Sequence, residues 1–212
     1  MAKGRRGGTS GGATGGNGGN ITATRSLISE RERFGNEVDQ ALSVLRDIEE
    51  EYDVSVEDML VSTITGRGGG MTLGYYDWDG NVAINEQMFT NARELDRIYD
   101  NSVKTGFHPG RGNKTGLQAV IAHELGHRLN YIAGGGTWDK LDSSAQTIIE
   151  RATRATGNGN KTAQFRARIS GYAKETNAEA VAESFADVYL NGANAKAESK
   201  AVYNELRRML GR

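Results

Sequence analysis

Residues His123-Glu124-Leu125-Gly126-His127 constrain this chain more than any other segment. On a helix, positions four apart share a face, so His123 and His127 can each aim one imidazole nitrogen at a common centre. Glu124 lies about 100° further round the helix, where it can reach a water held at that centre. The pattern is H-E-x-x-H, which places two metal ligands and a general base within five residues. It works only on a helix. The chain has 3 histidines, and two of them are in this pentapeptide.

The flanking sequence supplies that helix. Thr115 and Gln118 form a capping box, and Leu117, Val120, Ile121, Leu125 and Leu129 recur on one side. The helix is predicted to run to about Ile132 and to stop at Gly134-Gly135-Gly136. Upstream, Ser29 and Glu32 predict a second capping box, opening a helix whose apolar residues Phe34, Val38, Leu42, Leu45 and Ile48 lead to Tyr52. Leu60 to Ile64 is β-prone. Residues 71–86 predict a hairpin, with Met71, Leu73 and Tyr75 on one arm and Val82 and Ile84 on the other. Asp79-Gly80 is its turn. A helix over about 91–102, with Leu95 and Ile98 inward, precedes a loop at 105–114. Four more helices are predicted near 139–156, 161–170, 177–191 and 195–210. The order of elements fits an α+β domain, with a small sheet followed by a mostly helical C-terminal half.

Nine of the 29 glycines fall in the first 20 residues, so residues 1–25 are predicted to be a disordered tail ahead of a single domain over 26–212. The low mean hydropathy of −0.58 comes partly from that tail. Lys3, Arg5 and Arg6 in the tail read as a solvated arm. A net charge of −1 gives no global field toward nucleic acid or membrane, so no specific nucleic-acid or membrane partner is predicted. There are no cysteines, which excludes disulfides and Cys-based zinc sites. No apolar run of about 18 residues is present. No apolar core of a Sec-type signal peptide is visible, which predicts a chain made as a soluble cytoplasmic protein that would leave the cell only by another route or as cargo.

Zinc hydrolases hold the ion with three protein ligands and leave a fourth position for water. The three-histidine extension of the motif fails here, because Asn130 and Ala133 stand at the corresponding positions. His108 lies upstream beside Pro109 and Gly110 and reads as a loop histidine, one that could still overhang the cleft. The third ligand is therefore expected from a carboxylate on a later helix. Glu179, Glu183 and Asp187 are spaced four apart there, beside an apolar stripe of Val181, Phe185, Val188 and Tyr189. Glu179 lies nearer the edge of that stripe and is the expected ligand, with Glu183 orienting a metal-bound histidine. Two alternatives stay open: Glu183 as the ligand, and Glu179 as a cap, since Thr176-Asn177-Ala178-Glu179 is itself a capping box.

Taken with Tyr172, Glu179 and the Ala182-Glu183-Ser184-Phe185-Ala186 run, the motif resembles the gluzincin metallopeptidases. The likeness is nearest to the anthrax lethal factor catalytic domain and the lethal-factor-like zincins of phage head-gene neighbourhoods. It spans about residues 71–191 and is sharp at the two motifs. It implies a zincin-like fold, with the hairpin packed on the motif helix and one hairpin arm pairing with substrate. It also implies zinc on His123, His127 and Glu179, Glu124 as general base, Tyr172 as the oxyanion donor, and a protein or peptide substrate. Phage structural proteins are partners by the same resemblance, and a virion-associated location goes with them. The ligand types alone would admit other divalent ions. The contrasting expectation is a structural or virion-associated protein that keeps the fold with little or no turnover. An intact Glu124 favours the enzyme, because a structural zinc site has no need of a base.

Overall fold

The computed structural model describes residues 20–52, 59–65, 73–76, 82–137 and 140–212. Four strands form one mixed sheet in the order β1-β2-β4-β3: β1 (Asn20–Ser26), β2 (Met59–Thr65), β3 (Gly74–Tyr76) and β4 (Val82–Asn85). β1 runs antiparallel to β2, β2 parallel to β4, and β3 antiparallel to β4, with Tyr75 opposite Ala83. The β3–β4 pair is the predicted hairpin; its turn, with Trp78 and Asp79-Gly80, lies outside the described residues, as does Met71. β3 ends the sheet on one side and β1 on the other.

Strand β1 corrects the predicted tail boundary. The glycine-rich composition ends at Gly19, and Ile21, Thr22 and Thr24 are β-branched residues that suit a strand once β2 offers an edge to pair with. Residues 1–19 lie outside the described residues. The next expectation also fails. Ser29 donates its hydroxyl to the Ser26 carbonyl at 2.6 Å, inside a 3-10 turn over Leu27–Glu30, and caps no helix. Helix α1 (Arg31–Tyr52) follows with a break at Phe34, whose φ and ψ are −134° and 42°. Glu30 is drawn into ion pairs with Arg25 and Arg33.

The remaining helices are α2 (Gln87–Thr90), α3 (Ala92–Lys104), α4 (Gly116–Ala133), α5 (Leu141–Ala155), α6 (Thr162–Ile169), α7 (Asn177–Asn191) and α8 (Ala197–Met209). On α3 the inward residues are Leu95 and Tyr99; Ile98 is only half-buried. α4 carries the pentapeptide and the predicted capping box, with Thr115 and Gln118 each accepting from the other's backbone N–H. Its burial is broader than one stripe: every residue from Gly116 to Asn130 is buried except Gln118 and Arg128. A helix apolar on nearly all sides belongs inside a fold, and α4 packs against β3 and β4, against α1 and α3, and against α5, α7 and α8. A single apolar core runs from Leu27 to Leu206 through β2, β4 and the helices. The architecture is α+β. Among the described residues no helix is long and apolar enough to cross a membrane.

Candidate metal centre

α4 and α7 meet at close quarters, and small residues make that possible. A Cβ on Gly126 would stand 2.8 Å from the Cα of Ala182 and 3.1 Å from the Phe185 Cβ, closer than packed atoms tolerate. Glycine at 126 lets the backbone of α7 come up to the histidine face of α4, which carries Glu179 and Glu183 to the imidazoles.

Three side-chain atoms converge there. Glu179 Oε2 is 3.1 Å from His123 Nε2 and 3.3 Å from His127 Nε2. All three residues are buried, and their ligand atoms lie within 4.8 Å of one another, so the triad could hold a metal ion. None of the three atoms has a hydrogen-bond partner, despite these short approaches. They share a space without the angles of a hydrogen bond. Buried polar atoms are rarely left that way in a folded protein, and a cation at their shared centre would satisfy all three. Thr176 caps α7 by accepting from the Glu179 N–H at 3.0 Å. Only the Glu179 backbone takes part in that cap; its carboxylate lies at the triad.

Glu183 stands behind His123. Its Oε1 accepts from His123 Nδ1 at 2.9 Å. The partners of Glu183 fix the tautomer. Burial alone would raise its pKa, but His108 and His123 together bring it down to about 2, so it is ionised and only accepts. His123 must then carry its hydrogen on Nδ1, which leaves Nε2 to face the centre. Burial also opposes ionisation of Glu179, and the neighbouring His127 and His123 outweigh it, holding its pKa well below the usual carboxylate range. For His123 burial pulls the pKa down, yet its contacts with Glu179 and Glu183 leave it well above the ordinary value.

Glu124 is fully buried, and neither carboxylate oxygen has a hydrogen-bond partner. Burial pushes its pKa up to about 8; His123 lowers it and Glu179 raises it, so both lie within electrostatic reach. On its other side is the edge strand: a Cβ on Gly74 would fall 3.1 Å from Glu124 Oε1 and 3.1 Å from the Ala83 carbonyl. The acid thus sits between the triad and the backbone of β3. Tyr172 opens a 3-10 turn over Tyr172–Lys174 and is buried, its ring centroid 5.7 Å from that of His123.

Two further residues meet Glu183. His108 lies in the loop, as expected, and is no member of the triad, but its contact with Glu183 was not anticipated. It is buried, its Nδ1 donates to Glu183 Oε1 at 3.0 Å, and its ring stacks on Tyr99 with 5.5 Å between centroids. Ser170 donates its hydroxyl to Glu183 Oε2 at 2.7 Å and accepts from the Ala173 N–H at 2.9 Å. In the sequence, the scarcity of histidine and the Pro109-Gly110 loop were the signals for His108, and Ser170 gave none. Asp187, the third acid of the row, faces elsewhere: it accepts from the Asn191 side chain and the Lys196 N–H. Comparison with family models, with characterised proteins and with solved structures yields no match to this chain.

Proposed function

We propose that this protein is a zinc-dependent peptidase of gluzincin type, acting on protein or peptide substrates. The observation that carries the proposal is the convergence of His123 Nε2, His127 Nε2 and Glu179 Oε2, with a second, buried acid beside them. Tetrahedral zinc with ligand bonds of about 2.0–2.2 Å sets its ligand atoms about 3.4 Å apart. The 3.1 and 3.3 Å separations are near that value. Two imidazoles and one carboxylate leave one position open, as in catalytic rather than structural zinc sites.

When bound, zinc supplies Lewis acidity that makes water a nucleophile near neutral pH. The residues supply the rest. Glu124 would take the proton of the attacking water and return it to the leaving amine, and its buried place between the triad and β3 suits both transfers. Tyr172 is the donor assigned to the developing oxyanion; its ring lies against His123. β3, with Gly74 beside Glu124, is a sheet edge among the described residues, and an extended peptide would add to it as a strand.

The test is cleavage of a mixed peptide library by the zinc-loaded protein, with and without chelator. Glu124→Gln is expected to retain zinc and to lose cleavage by about 10²-fold or more. Cleavage that survives chelation, or a Glu124→Gln variant working at the wild-type rate, overturns the proposal. Tight zinc binding with no cleavage of any library member or candidate partner leaves the structural, virion-associated reading in its place.

A further inference from the structure

The loop over 105–114 is fastened to the site from several sides. The Gly106 and Phe107 carbonyls accept from the Gly171 and Tyr172 N–H groups at 2.7 and 3.0 Å. The Gly110 carbonyl accepts from the Asn191 side chain at 2.6 Å. Between these anchors, His108 reaches inward to Glu183, the same carboxylate that holds His123. Both imidazoles donate to one oxygen, Oε1, at 3.0 and 2.9 Å, while Ser170 takes the other. Glu183 is only 1% exposed, so its charge depends on these three donors.

We infer that His108 is a positioning residue of the metal centre, coupling the seating of the 106–110 loop and Tyr172 to the His123 ring through Glu183, so that metal binding and loop seating favour one another. The inference rests on His123 being a metal ligand. The physical chain is short. With His108 in place, Glu183 is fixed from two directions and presents Oε1 to His123 Nδ1, which orients Nε2. Without it, Glu183 keeps Ser170 and His123 but loses one of its three donors, and the acceptor of His123 is held less firmly. Outer-shell partners of this kind alter metal affinity by about 10–100-fold. Linkage makes the effect reciprocal: if the loop strengthens metal binding, metal strengthens the loop.

Two substitutions isolate the donor. His108→Phe keeps a ring against Tyr99 and removes the N–H. His108→Asn places an amide N–H close to the position of Nδ1. Zinc affinity, measured by competition with a chromophoric chelator, is expected to fall at least about tenfold in His108→Phe and to recover to within about threefold of wild type in His108→Asn. Hydrogen exchange of the Gly171 and Tyr172 amides, which donate to the loop, is expected to slow on adding zinc to wild type and not in His108→Phe. A merely structural role would lower metal-free stability without changing that response. If His108→Phe binds zinc as wild type does, or if His108→Asn is as weak as His108→Phe, the assignment of His108 fails while the metal centre stands. If wild type itself binds no zinc, both fail.

Discussion

Glu124 carries a burden in the folded chain that its unfolded counterpart does not. Its carboxyl is fully buried with no hydrogen-bond partner, and burial lifts its pKa from the ordinary 4.5 to about 8. Between those two values the folded protein holds a proton that the unfolded chain has already lost. The metal-free protein therefore loses stability as pH rises through that window. Glutamine at 124 keeps the shape and cannot ionise, so it escapes the loss. Metal-free Glu124→Gln is expected to be more stable than wild type at pH 7, by at most on the order of 3 kcal/mol, with the gap closing below about pH 4.5. Urea unfolding of both proteins from pH 4.5 to 8 measures it, and a gap that does not change with pH would contradict the account. Glu183 has the opposite sign. Its pKa is depressed, so its contribution is present above about 4.5 and fades as pH falls toward about 2. The same buried site thus holds one acid that opposes folding at neutral pH and one that favours it, and the one that opposes it is the proposed base.

At the scale of elements, the crossing of α4 and α7 decides whether the ligands meet. Gly126→Ala would place a methyl 2.8 Å from the Ala182 Cα and 3.1 Å from its carbonyl oxygen. These are backbone atoms that cannot rotate aside, so the helices must separate. Overpacking of this kind costs about 1–3 kcal/mol. Separation also draws Glu179 from the two imidazoles, so zinc affinity is expected to fall at least tenfold along with thermal stability. Unchanged zinc affinity in a destabilised Gly126→Ala protein would show that the crossing does not set the ligand geometry. The sequence made the helices themselves legible: the predicted 139–156 and 177–191 became Leu141–Ala155 and Asn177–Asn191, because caps, periodicity and glycine breaks are local signals. Glu179 was legible for a related reason, since its place at the edge of an apolar stripe follows from helix geometry alone. The close approach at Gly126 was not, because inside the motif that glycine occupies a position any residue could hold. His108 and Ser170 were hidden for a different reason. Backbone pairing between Gly106-Phe107 and Gly171-Tyr172 brings them to Glu183, and contacts 75 and 13 residues apart in sequence, each running from a loop to a helix, leave no periodic trace.

For the whole molecule, the sequence conveyed the α+β class and the run of elements, but not that one core would extend from Leu27 to Leu206 with α4 buried inside it. That placement makes the candidate metal centre part of the fold. Its candidate ligands come from two helices whose mutual packing is central to the core, and the unfolded chain has no reason to hold them together. Zinc should therefore bind the native state almost exclusively and raise its stability by mass action, by about 2.7 kcal/mol at a free concentration 100 times Kd. For a domain of this size, each kcal/mol moves Tm by about 2–4 °C, so the rise should be about 5–10 °C and should disappear on adding chelator. Variants divide the possibilities. Glu179→Ala removes a ligand and should abolish the zinc-dependent rise. Glu124→Gln removes only the base and should keep it. Glu183→Ala leaves the triad intact but frees the His123 ring, so it should give a smaller rise at the same zinc concentration. A full rise in Glu179→Ala with none in Glu183→Ala would exchange the roles of the two acids. A rise in all three would place the stabilising zinc somewhere other than the α4–α7 crossing.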